Sequence, residues 1–391
     1  VEYIMAITAT QIQADIAAVQ TALNTLNTDF AAFIAAPVPP PVVTPPPPTS
    51  STTLVVDVTL AGSDATSQIQ SLINTAAMKA TSTAPYIVRV PAASKPYLIN
   101  PTFHGEYGLI LASNVTLQID SGATLGTVTT PSSLQTYYTV YFPAGVTNAH
   151  VTGGGSVVGD RASKSSPSEW GMGIGADACT NCSIEGTGDG KTTGLTISGC
   201  CGDGIYIGPG APAHTFVVTG VISNGNRRQG MTIDSVNGLH VFASSFINTN
   251  GTSPACGIDI EPDQSTQSVS NVLIEQCTIT GNLGGGIQSG PDDTGPGVVN
   301  GVMIQNNDIN NNGTSGGIYG GLSSWGGVES QNSANVVIQN NRINSNKGPA
   351  VTVRSTRNGT VKVLSNTGTG NAAGVSNSAG SSCTVSGNTF S

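Results

Sequence analysis

The chain has 391 residues, with 13 Lys or Arg against 22 Asp or Glu, for a net charge of −9. That balance offers no basic stripe to nucleic-acid phosphates, and no apolar run approaches the ~18–20 residues of a membrane span. Gly is abundant (50 residues), aromatics are 5%, and β-branched residues recur in short runs, which points to many short strands joined by turns rather than to helices.

The opening "VEYIMAITATQIQ" lacks the charged and apolar regions of a secretory leader. Either a leader has been removed, or the protein leaves its cell another way, for instance on a particle. Residues 8–36 are Ala-rich and free of Gly and Pro. Ile12, Ile16, Val19, Leu23, Leu26, Phe30 and Phe33 step by alternating fours and threes. That heptad predicts a coiled-coil helix within residues 1–36, trimeric ahead of dimeric because bulky Phe occupies both core positions. The Pro-rich stretch at 37–52 reads as a semi-rigid linker, which leaves the helix little to pack on except its own copies.

Residues 53–391 form the main domain, built from an internal repeat of variable length. Apolar strands recur at "GLTIS" 194, "TFVVT" 215, "GLHVF" 238, "NVLIE" 271, "GVMIQ" 301, "NVVIQ" 335 and "TVKVL" 360, with Ile197, Val217, Val241, Ile274, Ile304, Ile338 and Val363 taken as equivalent. A second strand follows in each unit: "GIYIG" 204, "GMTID" 230, "GIDIE" 257, "GIQSG" 286, "GVESQ" 327 and "AVTVR" 350. Such a unit cannot bury its apolar side chains alone, but stacked coils can. Asn and Gly at the corners supply the positive φ that tight corners need. The pattern predicts an all-β parallel β-helix.

The successive stretches "DATSQIQSLINTA", "YIVRVPAASKPYLIN", "LASNVTLQIDSGATL" and "VTGGGSVVGD", with "NRRQGMTIDSVNGLHVFASSFINTNGTSPACGIDIEPD" further on, resemble right-handed parallel β-helix proteins that act on polysaccharides. That superfamily includes pectate lyases, polygalacturonases, mannuronan epimerases and phage tailspikes. The helix and Pro-rich linker resemble the virion-attachment end of a tailspike. The resemblance implies a homotrimer on a phage tail, or an extracellular protein, that contacts a tail or baseplate protein through its N-terminal helix. It also implies a bacterial surface polysaccharide as ligand, to be cleaved or, alternatively, only bound.

Alternation along the second strand sends Tyr206, Thr232, Asp259, Gln288, Glu329 and Thr352 outward, and two residues on, Gly208, Asp234, Glu261, Gly290, Gln331 and Arg354. Asp234, Asp259 and Glu261 are the expected catalytic carboxylates. Adjacent coils lie about 4.8 Å apart, which stacks Asp234 on Glu261. Carboxyl groups this close repel, raising at least one pKa unless a cation intervenes. Two uses follow. Hydrolysis needs a proton donor and a second carboxylate and no cofactor. Alternatively the cluster holds Ca²⁺ and acidifies a uronate for lyase or epimerase chemistry, which also needs a base. Arg227, Arg228 and His240 are candidates for that base or for holding substrate. Tyr206, Glu329 and Trp325 complete the expected substrate contacts, with Trp170 and Tyr319 as further aromatic platforms. A third possibility is a solvated ladder of acids without chemistry.

"CGIDIEP" shares Gly257 and Asp259 with the Tyr-Gly-x-Asp-Pro-His of the epimerases, but has Cys256 and Glu261 where they have Tyr and His. A Glu in place of the His base, beside further acids, favours hydrolysis. The seven cysteines are an odd number for a disulfide framework. "CTNC" and "CC" would admit a zinc site, but the simpler reading is small buried hydrophobes.

Overall fold

The computed structural model describes residues 51–391 except 165–168, 292–294 and 314–325, together with positions 13 and 20. The chain divides into two units, Val1–Pro41 and Val42–Ser391. In the first, Gln13 and Gln20 are helical and exposed. The rest of the expected heptad helix, and the Pro-rich linker as far as residue 50, lie outside the described residues.

In the second unit the short apolar strands pair in parallel, each with its counterpart one coil away, and generate three sheets. The first has 12 strands among the described residues, from Thr52–Val55 to Cys383–Ser386. The second has 11, from Tyr97–Ile99 to Thr389–Phe390, and the third 10, from Tyr107–Ile110 to Ala373–Asn377. Each full coil visits the three sheets in turn, so residues 22 to 41 apart in sequence become neighbours.

Inward residues stack in register. Val241, Ile274, Ile304, Ile338 and Val363 pair successively, as the repeat predicts. Two assignments need correcting. Val218, not Val217, pairs with Val241, because Val217 points outward. Ile197 belongs to the second sheet, since its coil carries an extra loop before it.

Helix Thr66–Ala77 buries Ile69, Ile73 and Ala76 against the N-terminal end of the core. Its start is held by Asp64, whose carboxylate accepts from Thr66 N at 2.9 Å. The Gln70 amide pairs with both the N–H and the C=O of Ile110, satisfying the exposed edge of the third sheet.

Corner residues Asn271, Asn306, Asn335 and Asn340 adopt φ near +55°. Beside them run two internal Asn ladders. In one, Asn307, Asn341, Asn366 and Asn388 pass hydrogen bonds from coil to coil, each bond 2.9–3.0 Å. In the other, Asn282, Asn312, Asn346 and Asn371 do the same. Asn307 and Asn341 thus tie neighbouring coils together. Each side chain is held among buried backbone groups whose hydrogen bonds must be met somewhere.

Candidate active site

The third sheet carries the site. Its outward column runs Tyr206, Thr232, Asp259, Gln288, Glu329, Thr352 in continuous parallel register, as alternation predicts. Just beyond the strands, Asp234 N donates to Ile207 O and Glu261 N donates to Ile233 O. The ladder thus continues and sets Asp234 and Glu261 one coil apart. Asp263 has left the strand Ile258–Ile260 and is exposed.

The column is not a solvated ladder. Asp259 has no exposed surface, and Asp234 and Glu261 are 6% and 9% exposed. A fourth acid joins them. Asp203, wholly buried in the turn before the strand Ile205–Ile207, accepts from the Thr232 hydroxyl at 2.8 Å. Arg228 lies among the four carboxyl groups. Its Nη1 is 3.5 Å from Asp203 and its Nη2 3.6 Å from Glu261, and its guanidinium lies 5.1 Å from the centroid of the Trp170 ring. Burial works against the Arg228 charge, but the fields of Asp203, Asp259 and Glu261 outweigh it and raise its pKa.

The acids differ in their surroundings. Burial, reinforced by the Glu261 charge, pushes Asp234 up to about 8, against the opposing effects of the Tyr206 hydroxyl and Arg228. That hydroxyl donates to Asp234 Oδ2 at 2.5 Å, and Gln267 Nε2 donates to the same oxygen at 3.3 Å. Burial raises Asp203 to about 6, with Arg228 and Thr232 opposing. Burial and then the Glu261 charge raise Asp259 well above the carboxylate range. Its Oδ2 accepts from Gln229 at 2.6 Å, while its Oδ1 lacks a hydrogen-bond partner, an environment suited to the neutral acid.

Tyr206 ends a stack of aromatic rings on the same face. Tyr107 and Tyr141 stack at 4.1 Å, Tyr138 and Tyr141 lie at 5.0 Å, and Tyr138 and Tyr206 at 6.5 Å. Gly175 makes room for them: a Cβ there would sit 2.3 Å from the Tyr138 ring.

Other expected contacts fall elsewhere. His240 is on the first sheet, paired with Val217 and Leu273, and its Nε2 is 3.0 Å from Glu275. It is therefore not part of this site. The stem of Arg227 lies against Gly251 beside Arg161, and its Nε is buried without a hydrogen-bond partner. Glu329 is two coils from Asp259 and is held by Arg354 at 2.7 Å. Trp325 and Tyr319 lie outside the described residues. Trp170, 36% exposed at the rim of the carboxylate cluster, is the aromatic group seen next to it. All seven cysteines are buried and unpaired. Among the described residues, no three His, Cys, Asp or Glu converge in a way that would hold a metal ion.

A cleft of ≈ 450 Å³ lined by Asp189, Lys191 and Asp308 lies by the turns between the first and second sheets, away from these acids.

The family described as "Right handed beta helix region" matches residues 264–390, over the coils whose strands pair in parallel. The described strands from Thr52 onward form a right-handed parallel β-helix. This β-helix is similar to the tailspike of E. coli bacteriophage HK620, solved with a pentasaccharide, at 14% identity and a TM-score of 0.53, covering 84% of this chain and 63% of that one. It is also similar to tailspike gp49 of Acinetobacter baumannii bacteriophage Fri1, a capsular polysaccharide depolymerase, at 14% identity and a TM-score of 0.52, covering 88% and 63%. The A-module of the Azotobacter vinelandii mannuronan C-5 epimerase AlgE6 superposes more loosely, at 16% identity and a TM-score of 0.46, covering 84% and 96%. The β-helix thus spans 63% of the length of each tailspike. At such identities the likeness is one of fold, which hosts several chemistries. No curated protein sequence matches the chain.

Proposed function

We propose that the chain binds a bacterial surface polysaccharide and hydrolyses it, with Asp234 as proton donor and Glu261 as its ionised partner. The observation that carries this reading is the contrast between the two acids one coil apart: Asp234, held up to about 8, is protonated at neutral pH, whereas Glu261 faces Arg228. Glycoside hydrolysis needs such a pair. The coil spacing of about 4.8 Å is nearer the ~5–5.5 Å of retaining than the ~6.5–9.5 Å of inverting enzymes. Asp259 and Asp203, without exposed surface, act through these two as positioning groups. Trp170 offers a ring face to sugar C–H groups. The scheme uses no cofactor. The tailspike neighbours support a polysaccharide ligand and a virion or extracellular setting, and no helix among the described residues is long and apolar enough to cross a membrane.

Reducing-end assays on the host's capsular or exopolysaccharide test the reading. The intact chain generates new reducing ends with no unsaturated product, and Asp234→Asn and Glu261→Gln each abolish them while remaining folded. Full activity in either folded variant would dismiss the pair.

A second reading, a receptor-binding spike without catalysis, draws on the low exposure of all four acids. It gives glycan binding with no new ends. A Ca²⁺-dependent lyase or epimerase loses one candidate base, because His240 sits on another sheet. The N-terminal heptad is proposed to trimerise the chain and attach it to a phage tail or baseplate protein. A monomer by light scattering would remove that proposal.

A further inference from the structure

The charges around the site restrict what it can hold. All 13 Lys and Arg of the chain fall on described residues. Arg228 is the guanidinium among the acids, and both of its ends are already engaged, one by Asp203 and one by Glu261. Farther along the same sheet, Arg354 is closed on Glu329 at 2.7 Å. Arg357 donates to the carbonyls of Gly295 and Gly297. The stem of Arg227 lies against Gly251, and the positive charge felt by Asp203, Asp234 and Asp259 is that of Arg228. Four buried carboxyl groups thus share one internal counter-ion.

An acidic sugar placed over Asp234 and Glu261 would bring a further negative charge into a poorly hydrated, acid-lined site. To find a cation it would have to take Arg228 from Asp203 or Glu261 and leave a buried acid unpaired, which is a strong form of rejection. A sugar hydroxyl or acetamido N–H donates to the same carboxyl oxygens with no such conflict.

We propose that the glycan lying over Asp234 and Glu261 is uncharged there, a chain of hydroxyl- and acetamido-bearing sugars, and that Arg228 is an internal counter-ion rather than a receptor for acidic sugars. This rests on the reading of the cluster as the glycan site. It makes Arg228 a device that holds the acids together and rejects polyuronates.

The test uses the full chain and neutral bacterial surface polysaccharides, each offered as isolated and after oxidation of its C6 hydroxyls to carboxylates. Binding and new reducing ends are measured separately. At low ionic strength the oxidised form should bind at least tenfold more weakly than its parent, and reduction of the new carboxyls should restore binding. In Asp203→Asn, which frees one end of Arg228, the discrimination should shrink several-fold. Equal or tighter binding of the oxidised form overturns the proposal, as does unchanged discrimination in folded Asp203→Asn. Binding of the neutral form without cleavage would sink hydrolysis and leave the charge preference standing. Cleavage of a polyuronate to saturated ends would do the reverse.

Discussion

The Tyr206 hydroxyl and Asp234 meet across adjacent coils of the third sheet, 2.5 Å apart. Tyr206 is itself packed against Tyr138, so the carboxyl group with the proposed acid role is anchored to an aromatic stack. Tyr206→Phe removes a hydrogen bond that favours the charged form of Asp234. The expected result is an activity profile whose basic limb moves to higher pH, with substrate affinity within about twofold of the parent. An unmoved limb would show that Asp234 is not the titrating acid.

Stability should depend on pH with a definite sign. The folded pKa of Asp234 is about 8 and that of Asp203 about 6, against 3.8 for an ordinary Asp. Between 3.8 and the folded value the native state holds the extra proton, so stability falls as pH rises, by up to about 1.4 kcal/mol per unit per group. The contribution is full below pH 3.8 and gone above the folded pKa. Denaturant melts from pH 5 to 8 should show this decline, and Asp234→Asn should flatten it. A rise in stability over that window would contradict the burial of these acids in neutral form.

Removal of the Trp170 ring should weaken glycan binding without unfolding the chain. A stacked aromatic contact contributes about 0.5–1.5 kcal/mol beyond its area, so Trp170→Ala should raise the dissociation constant several-fold with the melting temperature nearly unchanged. Unaltered affinity would remove Trp170 from the binding surface.

Gly175→Ala places a methyl group 2.3 Å from the Tyr138 ring and 3.0 Å from Tyr141. The rings must move, and Tyr206 with them. Activity should fall at least tenfold while circular dichroism keeps its β signature. Near-normal activity would mean that the tyrosine stack does not position Asp234.

The Asn ladder should be costly to interrupt. Asn341→Ala leaves Asn307 N and Asn307 Nδ2 without their acceptor and Ile304 O without its donor. Each buried orphan costs about 1–3 kcal/mol, so a loss on the order of 3 kcal/mol or more is expected by chemical denaturation. A loss below 1 kcal/mol would mean that water replaces the amide.

The register of the third sheet was legible in the sequence because two periodicities agree there: alternation within each strand, and a Gly at its start in five of the six coils. Those two periodicities alone stack Asp234 on Glu261. Asp203 escapes that reasoning because it lies in a turn outside the alternating column. His240 was misplaced because nearness along a coil is not nearness in space: a few residues later the chain has rounded a corner onto another face. Burial was illegible for a similar reason. Alternation shows which side chains leave the core, but not what covers the outside of a sheet.

Parallel stacking makes the spacing between Asp234 and Glu261 a whole number of coils. They stand one step apart because strand Met231–Ile233 pairs directly with strand Ile258–Ile260. Inserting one complete coil between those strands would keep the core continuous, yet it would part the two acids by a further ~4.8 Å. In such a solenoid the reaction geometry is a counting problem, and a duplication harmless to folding would change the chemistry in one discrete jump.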